Sequence, residues 1–351
     1  MISVKNIKYK DIPFVSKDKN FVKCLAYAKS INSDISQYIP ISNKESVSFE
    51  LVNVNSSIAN CIRRFLIDEL EVYSMHVDEE KVETDDPFIL CDYIKKMIEL
   101  IPICQDHKEE HLDSLHISIN IENKTDDLIT IYSSDIDIMD KKNKLNNDDY
   151  FITTIPIITL RSCKKLHIKD ICIVKGSGKI NSGKFSLLNH ILYEALDVEP
   201  LTMSKFAKTG NSSLVSNPTH YKIEFETYRN IKSKTIMPRC CELILHRITT
   251  IHDILEELKE NTTIHISNTI NIKTNGELTL FYFKGEYWTI SNLISKYCFT
   301  LHNDIEFVCS TIVHPSQEEA IVKIKHSEPI KILKDALLKI IKDFKLIKSY
   351  F

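Results

Sequence analysis

No apolar run in the chain approaches the roughly 18 to 20 residues that a bilayer span requires. The opening stretch, MISVKNIKYKDIPFV, is polar and alternating rather than a secretory leader. Both absences argue for a protein that stays inside a cell, with no membrane partner. A basic surplus is missing too: 45 Lys and Arg face 48 Asp and Glu, for a net charge of −3, so the chain is not built to grip nucleic acid alone. Ten cysteines are present, yet there is no C-x-x-C and no H-E-x-x-H among the thirteen His, so no metal or other cofactor is expected. Several Cys sit in apolar stretches (CIRRFL, ICIVK, YCFTL), where a reduced thiol behaves as a small hydrophobe. Glycine is scarce, six in 351 residues, against a usual share of about 7%. With Ile, Lys and Asn abundant, that bias reflects AT-rich coding rather than chemistry.

What is present is an ordinary globular composition, 43% hydrophobic and 26% charged, which excludes disorder. The charge is uneven: residues 81–160 hold 8 basic and 17 acidic side chains, a net of −9 that suits a solvated, partner-facing subdomain. One helix is expected at about 20–36 and a strand over 46–53. A capped helix follows, with Asn55, Ser56 and Ser57 at its start and Ile58, Ile62 and Phe65 at helical spacing. Alternating strands mark the acidic block and residues 165–174.

Two long seams stand out. Cys241, Ile244, Ile248, Ile251, Leu255 and Leu258 are spaced by threes and fours, as are Ile330, Leu333, Leu337, Ile340, Phe344, Ile347 and Phe351. The first seam is expected to start after Pro238, the second after Pro329. A repeat links the two halves: Ser57-Ile-Ala-Asn-Cys-Ile62 matches Thr289-Ile-Ser-Asn-Leu-Ile294 in its hydroxyl cap, Ile, small residue, Asn and Ile. With a long terminal helix in each half, this predicts two copies of one dimerising unit in a single chain.

Chemistry-bearing motifs are few. Gly178-x4-Gly183-Lys184 is most of a phosphate-binding loop, but Phe185 stands where Ser or Thr should hold Mg²⁺. Asp135-Ile-Asp137 is a carboxylate pair without a glycine turn, expected on a solvated strand face. No nucleophile has a nominated base, so no catalytic residue is assigned. Arg63 and Arg64 are adjacent on an apolar helix, which leaves at least one free for a partner.

At this point the residues resemble a family. NSSIANCIRRFLIDEL (55–70) is similar to the first helix of the RNA polymerase assembly subunit: the third subunit of eukaryotic polymerase II, archaeal D and bacterial alpha. Asp92-Tyr-Ile-x4-Glu99-Leu-Ile-Pro-Ile103 resembles that family's Leu-Ile-Pro-Leu block, with Lys96-Met97 for its His-Arg and Glu99 for its Gly. Residues 176–186 resemble its glycine stretch ending in Lys184, Phe185 and Ser186, and Asn217-Pro218-x-x-Tyr221 resembles its Asp-Pro-x-x-Tyr strand. The C-terminal part resembles the eleventh polymerase II subunit, archaeal L, through Gly285-Glu-Tyr-Trp-Thr-Ile-Ser-Asn-Leu-Ile294, Phe307-Val308 and His314-Pro315, with Trp288 for its His and Ser291 for its Gly. One chain holding both looks like the fused assembly subunit of large DNA viruses.

The resemblance implies an α+β fold with two alpha-subunit-type dimerisation units pairing inside one chain as a pseudo-dimer, plus a mainly β insert. The expected parts are an N-terminal extension (1–40), a discontinuous third-subunit-like domain (41–80 and 161–260), the acidic insert (81–160) and an eleventh-subunit-like domain (264–351). The implied function is a non-catalytic platform of a DNA-directed RNA polymerase, in a viral factory and packaged in the virion. Its partners would be the two largest polymerase subunits and small ones, without base-specific nucleic-acid contact. Asn60, Arg63, Arg64, Lys184, Phe185 and Ser186 are the expected partner-binding residues. Ile58, Ile62, Phe65, Ile248, Ile251, Leu255, Ile290, Leu293, Ile294, Leu337, Ile340 and Phe344 are expected at the internal joint. The rival reading is a nucleotide-binding protein using 178–184.

Overall fold

The computed structural model describes residues 2–12, 23, 27, 44–140, 143–151, 154–197, 218–228, 231–258, 264–314 and 317–351. Nearly all of the helix expected at 20–36, the stretch 259–263 that links the two dimerisation units, and residues 315–316 lie outside the described residues.

The chain opens with β1 (Ser3–Asp11), β2 (Lys44–Val52), α1 (Ser56–Arg64), one turn of π-helix (Phe65–Glu69) and β3 (Glu71–His76). The insert follows as β4 (Val82–Thr84), α2 (Cys91–Glu99), α3 (Glu109–Leu112), β5 (Leu115–Glu122), β6 (Ile129–Tyr132), β7 (Asp137–Asp140), β8 (Asn143–Lys144), β9 (Pro156–Leu160) and β10 (Lys165–Ser177). The first unit resumes with β11 (Leu188–Ala195), β12 (His220–Tyr228) and α4 (Ser233–Glu256). The last unit holds β13 (Ile264–Ile266), β14 (Ile270–Asn275), β15 (Leu278–Lys284), α5 (Trp288–Leu301), β16 (Phe307–Ile312), β17 (Glu319–Lys325) and α6 (Pro329–Lys348). The fold is α+β.

The two outer sheets share a connectivity. The first runs β1-β2-β12-β11 and the last β13-β14-β15-β17-β16, all antiparallel. Setting β13 aside, each unit is strand, strand, helix, strand, strand, long helix, with the fourth strand lying between the second and third. Alternation places one face of each sheet inward: Val47, Phe49 and Leu51 on β2, Tyr221, Ile223 and Phe225 on β12, Phe281 and Phe283 on β15. Phe49 stands opposite Ile223, and Phe281 opposite Val322.

Helices close both units. Asn55 caps α1 by accepting from the Ile58 amide at 3.0 Å. α1 packs on α5, and α4 on α6. Ile58, Ile62, Phe65, Ile248, Ile251, Leu255, Ile290, Leu293, Ile294, Leu337, Ile340 and Phe344 are all buried in one hydrophobic cluster that runs through both units. Phe351, the end of the second seam, sets its ring edge-on to Phe49 at 5.0 Å. α4 begins at Ser233, not after Pro238, which lies inside it. The proline removes one amide donor within the first two turns, and burial of Ile236 and Met237 holds the helix through that loss.

The insert has a second, separate hydrophobic cluster. Its sheet runs β3-β10-β5-β7-β8 with β4 on β10, so it draws in residues on both sides of 81–160. β10 does this by serving two neighbours: Cys172–Ser177 pairs with β3 and Lys165–Ile171 with β5, with a register shift between Ile168 and Ile171 where Asp170 takes a left-handed φ of 52°. β1 was not foreseen as a strand. It is an edge strand with one buried residue, Val4, beside Ile2 just ahead of it, and only its β2 neighbour reveals it. No helix among the described residues is long and apolar enough to cross a membrane.

Candidate partner interface

Where α1 and α5 meet, the two asparagines of the repeat, Asn60 and Asn292, are both exposed. They line two adjoining grooves. One, of about 500 Å³, is walled by Ser56, Tyr193, Lys296, Phe299 and Val308; the other, of about 570 Å³, by Arg64, Asp68, Lys179, Tyr287 and Trp288. Asn60, Thr289 and Asn292 belong to both. Asn60 Oδ1 accepts from Arg63 Nε and Nη2 at 3.2 and 2.8 Å, and Asn292 Oδ1 accepts from the Ser310 hydroxyl. Arg64, the more exposed of the arginine pair, lies 2.5 Å from Asp68 one turn on. Such surface pairs are weak, so both guanidinium groups can be recruited by a partner. Trp288, named from the motif only as a replacement for His, and Phe299, which no motif singled out, add exposed aromatic area; helical spacing alone does not separate an inward aromatic from an outward one.

The loop after β10 is docked within the chain. Lys184 Nζ lies 2.8 Å from Glu99 Oε1 and 3.1 Å from His76 Nδ1, with its side chain 9% exposed. Burial alone would push the Glu99 carboxyl up; the bonds from Lys184 and His76 outweigh it and hold it below the usual range. Phe185 is buried, its ring seated on Gly176, where a Cβ would meet ring carbon Cζ at 2.5 Å. Gly178 lies as close to the π-helix: an added Cβ would fall 2.5 Å from the Ile67 carbonyl oxygen. The Lys179 amide then donates to the Asp68 carbonyl at 2.8 Å. The Ser186 hydroxyl, exposed, donates to the Leu188 carbonyl at 2.7 Å. Lys184 and Phe185 are therefore engaged inside the chain: Lys184 ties the loop to α2, while Gly178 and Lys179 tie it to the π-helix.

This geometry does not support the nucleotide-binding reading. A phosphate loop must open a helix so that free amides point at the anion, whereas 178–186 leads into strand β11 and its lysine is held by Glu99. The glycines serve close backbone approach, a demand that sequence spacing cannot tell from phosphate cradling. Asp135 and Asp137 are likewise occupied: Asp135 accepts from the Tyr132 amide at 2.8 Å and Asp137 pairs with Lys144. Asp135 lies in a helical turn rather than on the strand face expected for it. Among the described residues no group of three or more His, Cys, Asp or Glu could hold a metal ion.

A half-buried ion cluster at the wall of the groove had no signal in spacing. Arg247 on α4 reaches Glu69 Oε2 at 2.5 Å and Glu286 Oε2 at 3.4 Å, with its guanidinium 5.1 Å over the Phe65 ring. It ties the π-helix, α4 and the entry to α5 together. Burial pushes the Glu286 carboxyl up to about 7, against the pull of Arg247 and with the help of the Glu69 charge.

No family model matches the chain. The chain is 27% identical over 324 residues, covering 87% of each protein, to the DNA-directed RNA polymerase RPB3-11 homolog of African swine fever virus, warthog isolate from Namibia. It is 26% identical over the same length and coverage to the protein of that name from a tick isolate of the same virus from South Africa. Similarity spread over nearly the whole chain accords with the motif resemblance to the third and eleventh polymerase subunits in one polypeptide.

Proposed function

We propose that this chain is the assembly-platform subunit of a multisubunit DNA-directed RNA polymerase, holding third- and eleventh-subunit-like units in one polypeptide. The carrying observation is similarity over 87% of the chain to proteins bearing both subunit names; the repeated strand–strand–helix–strand–strand–helix connectivity supports it. The units pair as an internal pseudo-dimer through α1 with α5 and α4 with α6. The chain performs no catalysis itself. Its work is to present the α1–α5 face, with Asn60, Arg63 and Arg64 at one side, to the two largest subunits, while Lys184 and Phe185 hold from inside the chain the docked loop whose exposed Ser186 is offered to them. Small polymerase subunits complete the assembly, in the viral factory and the virion.

Affinity purification of the tagged chain from cells making the whole enzyme should recover both large subunits; recovery of the free chain alone defeats the reading. The contact assignment has its own test. Arg63→Ala with Arg64→Ala should leave the fold within about 0.5 kcal/mol of wild type, since neither side chain is buried, while the yield of large subunits in the pull-down drops. Wild-type assembly by the double variant would move the contact elsewhere.

A further inference from the structure

The two outer sheets share a connectivity, yet their outward faces differ. On the first, Ser46, Ser48 and Glu50 of β2 stand opposite Glu226, Glu224 and Lys222 of β12. Lys222 meets Glu224 at 2.8 Å and Glu50 meets His220 at 3.1 Å, so that face suits water. The last sheet breaks the pattern. Ile266, Asn271, Tyr282 and Ile321 form one row across β13, β14, β15 and β17, and Ile264, Lys273, Leu280 and Lys323 form the next. Between these rows Ile272, Phe281 and Val322 enter the large hydrophobic cluster, whereas the apolar side chains of the rows belong to neither cluster. Ile264 is 68% exposed and Ile266 72%, with Leu280 and Tyr282 half-buried. A contiguous apolar face in water marks a surface that something covers.

Charge on this face identifies the occupant. At its ends the charges are matched: Lys325 is held by Glu277 at 2.8 Å and Glu306 at 2.7 Å, and Lys284 stands opposite Glu319. The centre is different. Lys273 and Lys323 flank Leu280 from β14 and β17, and among the described residues neither meets a carboxylate. Lys273 holds its amine 5.4 Å from the centre of the Tyr282 ring. Two uncommitted cations thus sit in aliphatic surface, and whatever covers them must bring carboxylates as well as apolar side chains, because a covered and unpaired charge is costly.

Other occupants fit less well. A phosphate backbone or an anionic bilayer would run past the centre onto Glu277, Glu306 and Glu319, and bases stack on aromatic faces, of which Tyr282 is already capped by Lys273. A second copy laid face to face would bring the same lysines. The two rows span three strand spacings, about 14 Å, the length of roughly ten helical residues. We propose that the outward face of the last sheet docks an acidic amphipathic helix of another polypeptide, its apolar stripe on Ile266, Leu280, Tyr282 and Ile321 and its Asp or Glu side chains on Lys273 and Lys323. The proposal goes beyond the polymerase reading and does not depend on it.

The test titrates the purified full-length chain with three fluorescein-labelled helical peptides of about fourteen residues: one with a Leu stripe flanked by Glu, one with Lys replacing Glu, one with Ser replacing Leu. The Glu–Leu peptide should bind, with each of the others at least about tenfold weaker, a difference anisotropy resolves readily. Lys273→Glu with Lys323→Glu should weaken the Glu–Leu peptide and tighten the Lys–Leu peptide, each by about tenfold, a reversal that a folding defect does not produce. Ile266→Ser should weaken the Glu–Leu peptide by a similar factor. Leu192→Ser, which changes an exposed residue of β11 in the first sheet, should not, and circular dichroism checks that each variant folds. No binding of the Glu–Leu peptide, equal binding of the Glu–Ser peptide, or no reversal by the charge swap would overturn the proposal. So would RNA or phosphatidylserine vesicles that bind the wild type but not the charge-swapped variant, or a dimer in sedimentation that Ile266→Ser abolishes.

Discussion

Glu286 is the residue whose protonation the fold controls most visibly. Its carboxyl is half-buried beside Arg247 and shares that guanidinium with Glu69. Burial outweighs the attraction to Arg247, so the folded pKa rises to about 7 from an ordinary 4.5. The native state therefore prefers the protonated acid. The stability this preference supplies is fully present below pH about 4.5 and is lost as pH climbs through about 7. Glu286→Gln, neutral at every pH, should remove that slope. Denaturant melts at pH 5.5 and 8 should show wild type losing about 1–3 kcal/mol more than the variant across the interval. Equal slopes would mean that Arg247 keeps Glu286 ionised throughout.

The docked loop of residues 176–186 is where element-scale reasoning from sequence reached its limit. The capped helix at 56–64, the alternating strands and the two seams were legible, because each is written as a period of hydrophobicity along one stretch of chain. β1 was not, since an edge strand buries little. The purpose of the glycines was not either, because it lies in the Ile67 carbonyl and the Phe185 ring, one of them more than a hundred residues away in the chain. Nor could the lysine's partners be seen: Glu99 comes from the insert and His76 from β3, the strand that leads into it. The two readings of this loop separate on its glycines. A Cβ at Gly178 would meet backbone oxygen at 2.5 Å, whereas at Gly183 the nearest atom is 3.5 Å away. Gly178→Ala should cost about 1–3 kcal/mol through forced displacement of the π-helix. Gly183→Ala, with room to spare, should be neutral or stabilising by up to about 1 kcal/mol. Thermal melts of the two variants decide between a docking loop and one kept flexible for a ligand.

At the scale of the whole molecule, the described residues form two hydrophobic clusters, and the larger runs through both repeated units. Tyr297 on α5 donates to Asp343 on α6 at 2.9 Å inside it, and Lys339 holds the other carboxylate oxygen at 2.8 Å. Across the junction, Lys348 on α6 meets Glu242 on α4 at 2.7 Å. Units joined this way by separate chains would depend on their concentration. Joined by the short link at 259–263, they meet at an effective concentration on the order of millimolar. A protease site placed there tests what the fusion contributes. The uncut protein should melt at a temperature independent of its concentration. After cleavage the halves should still elute together, because α4 and α6 keep their apolar seams facing. Their stability at about 1 μM should fall by roughly 4 kcal/mol, the cost of losing three powers of ten in effective concentration, and recover about 1.4 kcal/mol per tenfold rise in protein. Halves that separate on cutting, or that melt identically at every dilution, would show that the large cluster is not what joins the units.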